Sequence, residues 1–415
     1  MSPTVRAAYA LGVVALLALA IPIAIVVVLA IAVAIATVVD AVLAHRAPRL
    51  SRSVPPVVVR GVRAPLTVRA IGPSASRVRL RQPAVPDLVV DPPEADGHLD
   101  AHVTARRRGR HLLPPVAART VGPLGLGSWQ FSGGEDAQVL VYPDVPAARR
   151  LVVALRRGRF RDPGLIAKGA LGLGTDFETV RDYQPDDDIR QVNWAATART
   201  GRPMSNQYRM EQDRDVVCVL DCGRLMSAPI GERTRLDAAL DALAAVVLVA
   251  DELGDRSGVI AFDAEIRRRV ATGRRNSDAV IGAVFDLEPR AVESDYDLAF
   301  HAVGSAKRAL VVVFTDLLDE AAARSLVAAI PVLARRHAVV IASVRDPDVD
   351  HAVRVEPRDR DDVYRAAVAL ELLDGRARVV AQLSRAGAEV VESAPEHLAA
   401  ACVRAYLRLK SRARL

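Results

Sequence analysis

Cysteine, lysine and aromatic residues are scarce in this chain of 415 residues. The three cysteines, Cys218, Cys222 and Cys402, are too few and too scattered for a disulfide framework or a zinc site, which fits a reducing compartment. Aromatic residues make up 4% of the chain, too few for the stacking platforms on which proteins bind single-stranded nucleic acid. The composition therefore argues against nucleic acid as a partner.

The familiar catalytic motifs are also missing. The eight histidines are dispersed, and the sequence has neither the H-E-x-x-H spacing of zinc hydrolases nor a G-x-S-x-G elbow. The glycine-rich residues 164–174 match neither the dinucleotide fingerprint nor the phosphate loop. Cys222 is expected in a loop, but no histidine partner is evident for it. The sequence thus predicts a protein that is not an enzyme.

Arginine supplies nearly all the positive charge, and it is concentrated early in the chain. Positions 46–160 hold 19 arginines and 8 acidic residues, an excess of 11 positive charges, whereas the whole chain carries +7. This excess follows a long apolar segment, where anionic lipid would attract it. A solvated arginine-rich surface is the alternative interpretation.

The apolar segment, residues 7–39, contains no charged residue. As one helix it would be about 50 Å long, whereas the hydrocarbon layer of a bilayer is roughly 30 Å thick. Pro22 is a plausible break in such a helix. We therefore predict a transmembrane hairpin within residues 1–45, with helices at about 8–20 and 23–43. The first helix is short for a full span, and a single tilted helix is the alternative.

The distribution of basic residues predicts the orientation of this segment. Arg46, Arg49 and Arg52 follow it, whereas Arg6 alone precedes it. By the positive-inside rule, the soluble part of the chain lies on the cytoplasmic side. The predicted location is the cell membrane, with two spans.

Residues 54–146 contain short runs of β type separated by proline and glycine. Several of these runs alternate apolar and polar residues, most clearly at 77–81, as strands with one buried face do. About six such runs with frequent turns predict a small β-sandwich-like domain.

Residues 215–415 alternate apolar strands with helical patterns, which predicts a doubly wound α/β domain with a mainly parallel sheet. Three of its predicted strands end in aspartate, at Asp221, Asp263 and Asp316. In such sheets ligands bind beyond the carboxyl ends of the strands. Asp221 and Asp316 are therefore candidate ligands for Mg²⁺, although aspartate also commonly ends a strand without any such role.

Residues 150–214 connect these regions, beginning with a predicted helix at 151–159. The run Asp186–Asp188 has the carboxylates to bind a divalent cation. It also fits a turn that caps a following helix, whose apolar face would include Ile189, Val192 and Trp194. Pairing of this acidic segment with the arginines downstream is a third interpretation. We prefer the two structural interpretations.

The same connecting segment carries a long pattern of matching residues. It reads GTDFETVRDY at 174–183, PDDDIR at 185–190, NW at 193–194 and ARTG at 198–201. This pattern resembles the signature of the domain-of-unknown-function-58 family, roughly G-x-E-F-x-x-x-R-x-Y-x-x-G-D-D-x-R-x-I-D-W-x-x-x-A-R. Asp176, Asp186 and Asn193 depart from the usual Glu, Gly and Asp. The signature residues that we expect to form an interaction surface are Asp176, Glu178, Arg181, Asp182, Tyr183, Asp187, Asp188, Arg190, Trp194 and Arg199.

The resemblance has implications for architecture and partners. It implies an N-terminal membrane hairpin, a β-rich region and a C-terminal von Willebrand factor A-like domain at 215–415. It also implies a MoxR-type AAA+ ATPase as partner, beside the lipid bilayer and other membrane proteins as further candidates. The family has no established catalytic activity.

The resemblance also implies a degenerate ion site. The A-type ion site usually reads D-x-S-x-S, with a Thr on a second loop and an Asp on a third. Here Asp221 is followed by Gly223 and Leu225 in place of the two serines. Ser294 would stand for the Thr, and Asp316 matches the third loop. We expect no cofactor, and Asp221, Ser294 and Asp316 mark the place where Mg²⁺ would bind if the site were active.

These observations predict a membrane-anchored adaptor that works with a MoxR-type AAA+ ATPase in the assembly or maturation of client proteins. The alternative is a metal-dependent hydrolase that uses Asp186–Asp188 together with Asp221 and Asp316.

Overall fold

The computed structural model describes residues 1–45, 47–72, 78–157, 176–184, 189–209, 213–304, 308–317, 320 and 323–411. For residues 176–178, 190 and 207–209 it describes the backbone alone. The glycine-rich residues 164–174 and the acidic run Asp186–Asp188 lie outside the described residues. The chain forms two compact units, Met1–Tyr142 and Pro143–Leu415.

The first unit begins with a two-residue strand, β1 (Ser2–Pro3), and two apolar helices, α1 (Val5–Leu17) and α2 (Ile23–Leu43). Pro22 precedes the first residue of α2, as expected for a residue that cannot continue a helix. The prediction of a break at Pro22 is therefore confirmed, and one unbroken helix over residues 7–39 is wrong. The 13 residues of α1 span about 20 Å.

Among the described residues, α2 is the helix that is long and apolar enough to cross a bilayer. Only 11% of its most apolar 18-residue stretch is buried, whereas the core helix of a soluble protein is mostly buried. The structure thus supports one candidate membrane span near the N-terminus.

The strands of the first unit, β1 included, form three sheets, with strand orders β1-β11-β10-β5-β7, β2-β4-β8-β6 and β3-β12-β9. The bounds are β2 (Arg49–Ser53), β3 (Val57–Val59), β4 (Arg63–Ile71), β5 (Val78–Arg81), β6 (Leu88–Asp91), β7 (Glu94–Asp96), β8 (His98–Ala105), β9 (Gly109–Leu113), β10 (Val116–Val121), β11 (Gly127–Gly133) and β12 (Ala137–Tyr142).

One hydrophobic core is shared by these three sheets. The strands alternate as predicted: in β4, Leu66 and Val68 are fully buried while Arg63 and Arg69 are exposed. Each fully buried Leu or Val contributes roughly 1.5–3 kcal/mol relative to an exposed one. A layered β domain is therefore the stable arrangement for this segment.

The second unit contains an α/β domain. Its elements are α3 (Val145–Arg156), β13 (Asp176–Asp182), α4 (Trp194–Thr200), β14 (Met204–Arg209), β15 (Asp215–Asp221), β16 (Pro229–Ile230), β17 (Arg233–Thr234), α5 (Arg235–Glu252), β18 (Arg256–Phe262), β19 (Ile266–Arg274), α6 (Ser277–Val284), α7 (Tyr296–Val303), β20 (Ala309–Phe314), α8 (Arg324–Ala334), β21 (Ala338–Val344), α9 (Pro347–Arg354), α10 (Arg360–Arg385), β22 (Ala388–Ser393) and α11 (Pro395–Ser411). These strands and helices confirm the predicted alternation.

The main sheet of this unit has the strand order β19-β18-β15-β20-β21-β22. Strand β19 is antiparallel to β18, and the other neighbouring pairs are parallel. Counted along the chain, the order is 3-2-1-4-5-6, so the direction of winding reverses between β15 and β20. Every residue of β20 is buried, as expected for a strand that is covered on both faces.

The connecting segment with the family-like signature contains a small two-stranded hairpin. Strands β13 and β14 pair antiparallel, and α4 lies between them in sequence. The helix begins at Trp194, and the Asn193 side chain accepts a hydrogen bond from the Ala196 amide at 2.9 Å. The acidic run that was predicted to cap a following helix lies outside the described residues, and at α4 the capping residue is Asn193. The predicted apolar face is not buried, since Ile189 and Trp194 are 70% and 68% exposed.

Candidate functional site

The candidate site lies at the carboxyl edge of the main sheet, where β15 and β20 end side by side. β15 ends at Asp221, and Thr315 and Asp316 follow β20 directly. The winding of the sheet reverses between these two strands, which is the topological switch point of a doubly wound fold. The edge therefore brings Asp221 and Asp316 to the place where α/β sheets usually bind ligands.

Asp221 is buried and accepts four hydrogen bonds. Its Oδ1 accepts from the Ser294 hydroxyl at 2.5 Å and from the Gly223 amide at 2.8 Å. Its Oδ2 accepts from the Tyr296 hydroxyl at 2.9 Å and from the Thr315 hydroxyl at 2.7 Å. Both carboxylate oxygens are therefore satisfied by donors within the protein.

The glycine at position 223 is a requirement of this packing. A Cβ atom added there would lie 2.1 Å from the Ser294 hydroxyl and 2.9 Å from the Val292 carbonyl. The Ser294 hydroxyl thus fills the space that a serine side chain at position 223 would need. The loss of the first serine of the D-x-S-x-S pattern goes together with this close approach.

Burial also shifts the acid–base behaviour of the cluster. It raises the pKa of the Asp221 carboxyl, while the hydrogen bonds from Ser294, Gly223 and Thr315 oppose that rise. Burial and the nearby Asp221 carboxylate raise the pKa of Tyr296 well above its usual range. Tyr296 therefore stays protonated at neutral pH and serves as a donor, not as a general base.

Arg235 completes the cluster by pairing with Asp316. It is the first residue of α5, where Thr234 and Asp237 form a capping box. Its guanidinium makes a buried ion pair with the Asp316 carboxylate and lies 3.8 Å from the Asp346 carboxylate. We call Asp221, Ser294, Tyr296, Thr315, Asp316 and Arg235 the edge cluster.

The rim around the edge cluster is charged and solvent-exposed. Arg224 Nε pairs with Glu293 at 2.5 Å, and both side chains are more than half exposed. Asp263, the third strand-ending aspartate, is buried and accepts from Arg267 at 2.8 Å. The edge thus combines a closed, hydrogen-bonded interior with exposed ion pairs outside.

The structure brings together Asp221 and Ser294 as the sequence predicted, and it places Asp316 on the adjacent loop in contact with Arg235. Among the described residues, no group of three or more His, Cys, Asp or Glu side chains is placed to hold a metal ion. Sequence reasoning missed Arg235 and Tyr296. Neither lies in a recognisable ion-site motif, and only the fold brings them to Asp221 and Asp316.

The signature residues lie on the first strand of the hairpin, β13, and on the connection that leads from it to β14. Arg181, Asp182 and Tyr183 lie on or directly after β13, and Trp194 and Arg199 lie on α4. Asp176, Glu178 and Arg190 are described by their backbone alone, and Asp187 and Asp188 lie outside the described residues.

One ion pair joins the two ends of the hairpin connection, while the pairing predicted for Asp186–Asp188 lies outside the described residues. Asp182 lies 3.3 Å from Arg202, and both side chains are exposed. Trp194 is also exposed on the same connection. The helix α4 thus carries an exposed tryptophan and an exposed arginine, Arg199.

A second cluster of buried hydrogen bonds lies in the first unit, near the end of α2. Asp40 is fully buried, and its carboxylate accepts hydrogen bonds from the amides of Leu124, Leu126 and Gly127 at 2.8, 2.8 and 2.9 Å. The Thr4 amide, just before α1, donates to the Leu126 carbonyl at 2.9 Å. The start of α1 and the end of α2 therefore meet one loop, residues 122–127, which we call the collar.

The geometry described so far defines a class of protein: an α/β domain with a closed sheet edge, preceded by a β domain and an apolar helix. The family model whose description is "Protein of unknown function DUF58" matches residues 179–356, which include every residue of the edge cluster. The predicted resemblance to this family is thus confirmed over that range.

Relatives with a similar sequence are found in mycobacteria. Uncharacterized protein Rv1480 of Mycobacterium tuberculosis (strain ATCC 25618 / H37Rv) is 27% identical over 222 residues, covering 48% of this chain and 69% of that protein. Uncharacterized protein Mb1516 of Mycobacterium bovis (strain ATCC BAA-935 / AF2122/97) matches with the same identity and coverage. Neither the family description nor these names includes an activity.

Proposed function

We propose that this chain is a membrane-anchored protein-interaction module that works with a MoxR-type AAA+ ATPase in the assembly or maturation of client proteins. The observation that carries the proposal is the saturation of the edge cluster. Asp221 accepts from four internal donors, and Asp316 is paired with Arg235. A buried carboxylate that already accepts four hydrogen bonds, beside a second one held in an ion pair, is better suited to a structural role at a contact surface than to acid–base chemistry.

The fold supports this proposal. The 3-2-1-4-5-6 strand order and the position of Asp221 at the winding reversal support a von Willebrand factor A-like domain as the contact module. In the signature hairpin, exposed Trp194 supplies a large apolar anchor, and exposed Arg199 on the same helix supplies charge for a partner surface.

The anchor in this proposal is a helical hairpin. Both helices leave the collar, and residues 18–22, between them, would reach the outer side of the bilayer. The burial of Asp40 in the collar favours this arrangement, because a charged side chain at the end of a span needs partners. Since α1 spans only about 20 Å, the tip would reach the outer surface only if the bilayer thins around it.

Labelling of a single introduced cysteine tests this topology. We expect Ala20→Cys to react with a membrane-impermeant maleimide on intact cells, because Ala20 lies at the exposed tip. The three native cysteines are buried and should stay silent. Burial raises the pKa of the Cys402 thiol to about 12, so little thiolate forms at neutral pH.

The matched control is Leu112→Cys on β9, which is 60% exposed in the first unit. It should react only after the cells are lysed. Labelling of Leu112→Cys from outside would show that the orientation is reversed. An Ala20→Cys variant that stays silent on intact cells would instead rule out a tip at the outer surface.

A metal-dependent hydrolase that uses Asp186–Asp188 with Asp221 and Asp316 is the alternative function. The hydrogen bonds to Asp221 and the ion pair to Asp316 disfavour it, because bound cations need free carboxylate oxygens. A hydrolase would turn over phosphoesters or esters in the presence of Mg²⁺ or Mn²⁺, and Asp187→Ala would abolish that turnover.

Co-purification tests the proposed function. We expect the detergent-solubilised chain to retain the MoxR-type ATPase, and Trp194→Ala to weaken retention about tenfold or more, as expected for loss of a hot-spot side chain. Val332→Ala is the control, since Val332 is 69% exposed on α8, outside the signature. Equal retention by all three proteins, or metal-dependent turnover by the wild type, would contradict the proposal.

A further inference from the structure

The edge cluster contains a cation of its own. Arg235 and Asp316 form an ion pair whose side chains are 6% and 2% exposed, so both charges are removed from water. A buried ion pair is retained only where both charges are partnered, because an unpaired charge in the interior is costly. The guanidinium is thus a fixed part of the carboxyl edge.

The donor set of the cluster does not suit an additional divalent ion. Mg²⁺ requires oxygen ligands in near-octahedral geometry, and the two expected hydroxyls after Asp221 are replaced by Gly223 and Leu225. The hydroxyls of Ser294 and Thr315 are directed at the Asp221 carboxylate, at 2.5 and 2.7 Å. The residues present therefore do not fit the ion that a von Willebrand factor A-like domain implies.

We propose that the Arg235 guanidinium takes the place of that divalent cation, so that the contact surface at the sheet edge forms without any metal. Its positive charge compensates Asp316 and approaches Asp346, as an ion between the loops would. Ser343 extends the network, accepting from Arg376 at 2.9 Å and lying 3.5 Å from Asp316. The positive charge at this edge is then supplied by arginine side chains, Arg235 and Arg376, and not by a bound ion.

This substitution changes the regulation of the proposed contact. An arginine is charged at every physiological pH and cannot dissociate, whereas a bound ion depends on its free concentration. The module would therefore be permanently competent for its partner and insensitive to chelators. That consequence depends on the proposed function, but the replacement of the metal by Arg235 does not.

Thermal unfolding of the detergent-solubilised full chain tests the replacement. The melting temperature of the wild type should be the same in EDTA and in millimolar Mn²⁺. Arg235→Ala should be less stable in EDTA and should gain about 5 °C or more in Mn²⁺, saturably, because the ion then occupies the vacated position. Arg235→Lys keeps a cation on the side chain and should show no gain.

Two results would overturn the replacement. One is saturable Mn²⁺ binding by the wild type in calorimetry that is lost in Asp221→Ala. The other is a folded Arg235→Ala variant that shows no response to Mn²⁺. If that variant does not fold, the wild-type calorimetry decides alone. Because no partner is present in these measurements, failure of the co-purification experiment would leave their outcome unaffected.

Discussion

Replacing Asp255 by alanine is expected to lower the free energy of unfolding by about 3–5 kcal/mol, which is the usual cost of removing one partner of a buried ion pair. Asp255 is fully buried, and its Oδ2 accepts hydrogen bonds from the Lys410 ammonium and the Tyr406 hydroxyl. Its Oδ1 accepts from the Arg214 amide at 3.1 Å. The variant would leave the Lys410 charge in the interior without this carboxylate.

The reason for the large effect is the position of Asp255 in the fold. It lies immediately before β18, and Lys410 and Tyr406 belong to the C-terminal helix α11. Burial lowers the pKa of Lys410, and the Asp255 carboxylate opposes that change by stabilising the charged form. Without the carboxylate, the buried ammonium is destabilised in the folded state alone.

Thermal or denaturant unfolding of the full chain in detergent measures this effect, with an expected fall in melting temperature of roughly 10 °C. The control is the double variant Asp255→Ala, Lys410→Met, in which both charges are gone. It should be more stable than Asp255→Ala alone, because the unpaired charge is removed. If the loss of unfolding free energy in the double variant equals the sum of the losses in the two single variants, the two side chains do not interact.

Replacing Asp40 by alanine is expected to detach the collar from the end of α2. The amides of Leu124, Leu126 and Gly127 would lose their acceptor, and each buried amide left unsatisfied costs about 1–3 kcal/mol. Gly127 already packs so closely against α2 that a Cβ atom at this position would lie 2.4 Å from the Ala41 amide nitrogen. The loop therefore has no room to move closer to α2 after the carboxylate is removed. We expect a loss of about 3 kcal/mol or more in the first unit.

Trp129 can report this change, because the centroid of its ring lies 4.4 Å from that of His45, which is two residues after α2. In a Trp194→Phe background, the fluorescence of Trp129 should report detachment of the collar, and limited proteolysis should cut within residues 122–127. The control is Thr37→Ala, one turn earlier, where the hydroxyl donates to Val33 in the same helix. An unchanged spectrum and cleavage pattern for Asp40→Ala would contradict the role of Asp40.

Much of the fold was predictable because the signals are local. The alternating runs of the β domain and the apolar strand of β15 follow from side-chain period and burial. The prediction failed at the segment after the acidic run, where Ile189 and Trp194 were expected on an apolar face but are exposed. The helix α4 is only seven residues long and contributes no buried residue, which apolar spacing alone does not reveal.

The candidate site was predictable only in part. Strand-ending aspartates at neighbouring strands identified Asp221 and Asp316, because parallel strands align their carboxyl ends. Arg235 could not be predicted, since it lies at the start of a helix and reaches the edge only through the packing of α5. Asp40 was visible as the first charge after the apolar run, but its partners lie more than eighty positions away.

Site-specific photo-crosslinking tests the central claim most directly. A benzophenone amino acid is placed at Trp194 in the signature or at Arg224 on the rim of the edge cluster, with Val332 on α8 as the control position. We expect a crosslink to the MoxR-type ATPase from Trp194 and Arg224, in EDTA as well as in Mg²⁺, and none from Val332. The absence of that crosslink from both positions, or an equal yield from Val332, would contradict the account.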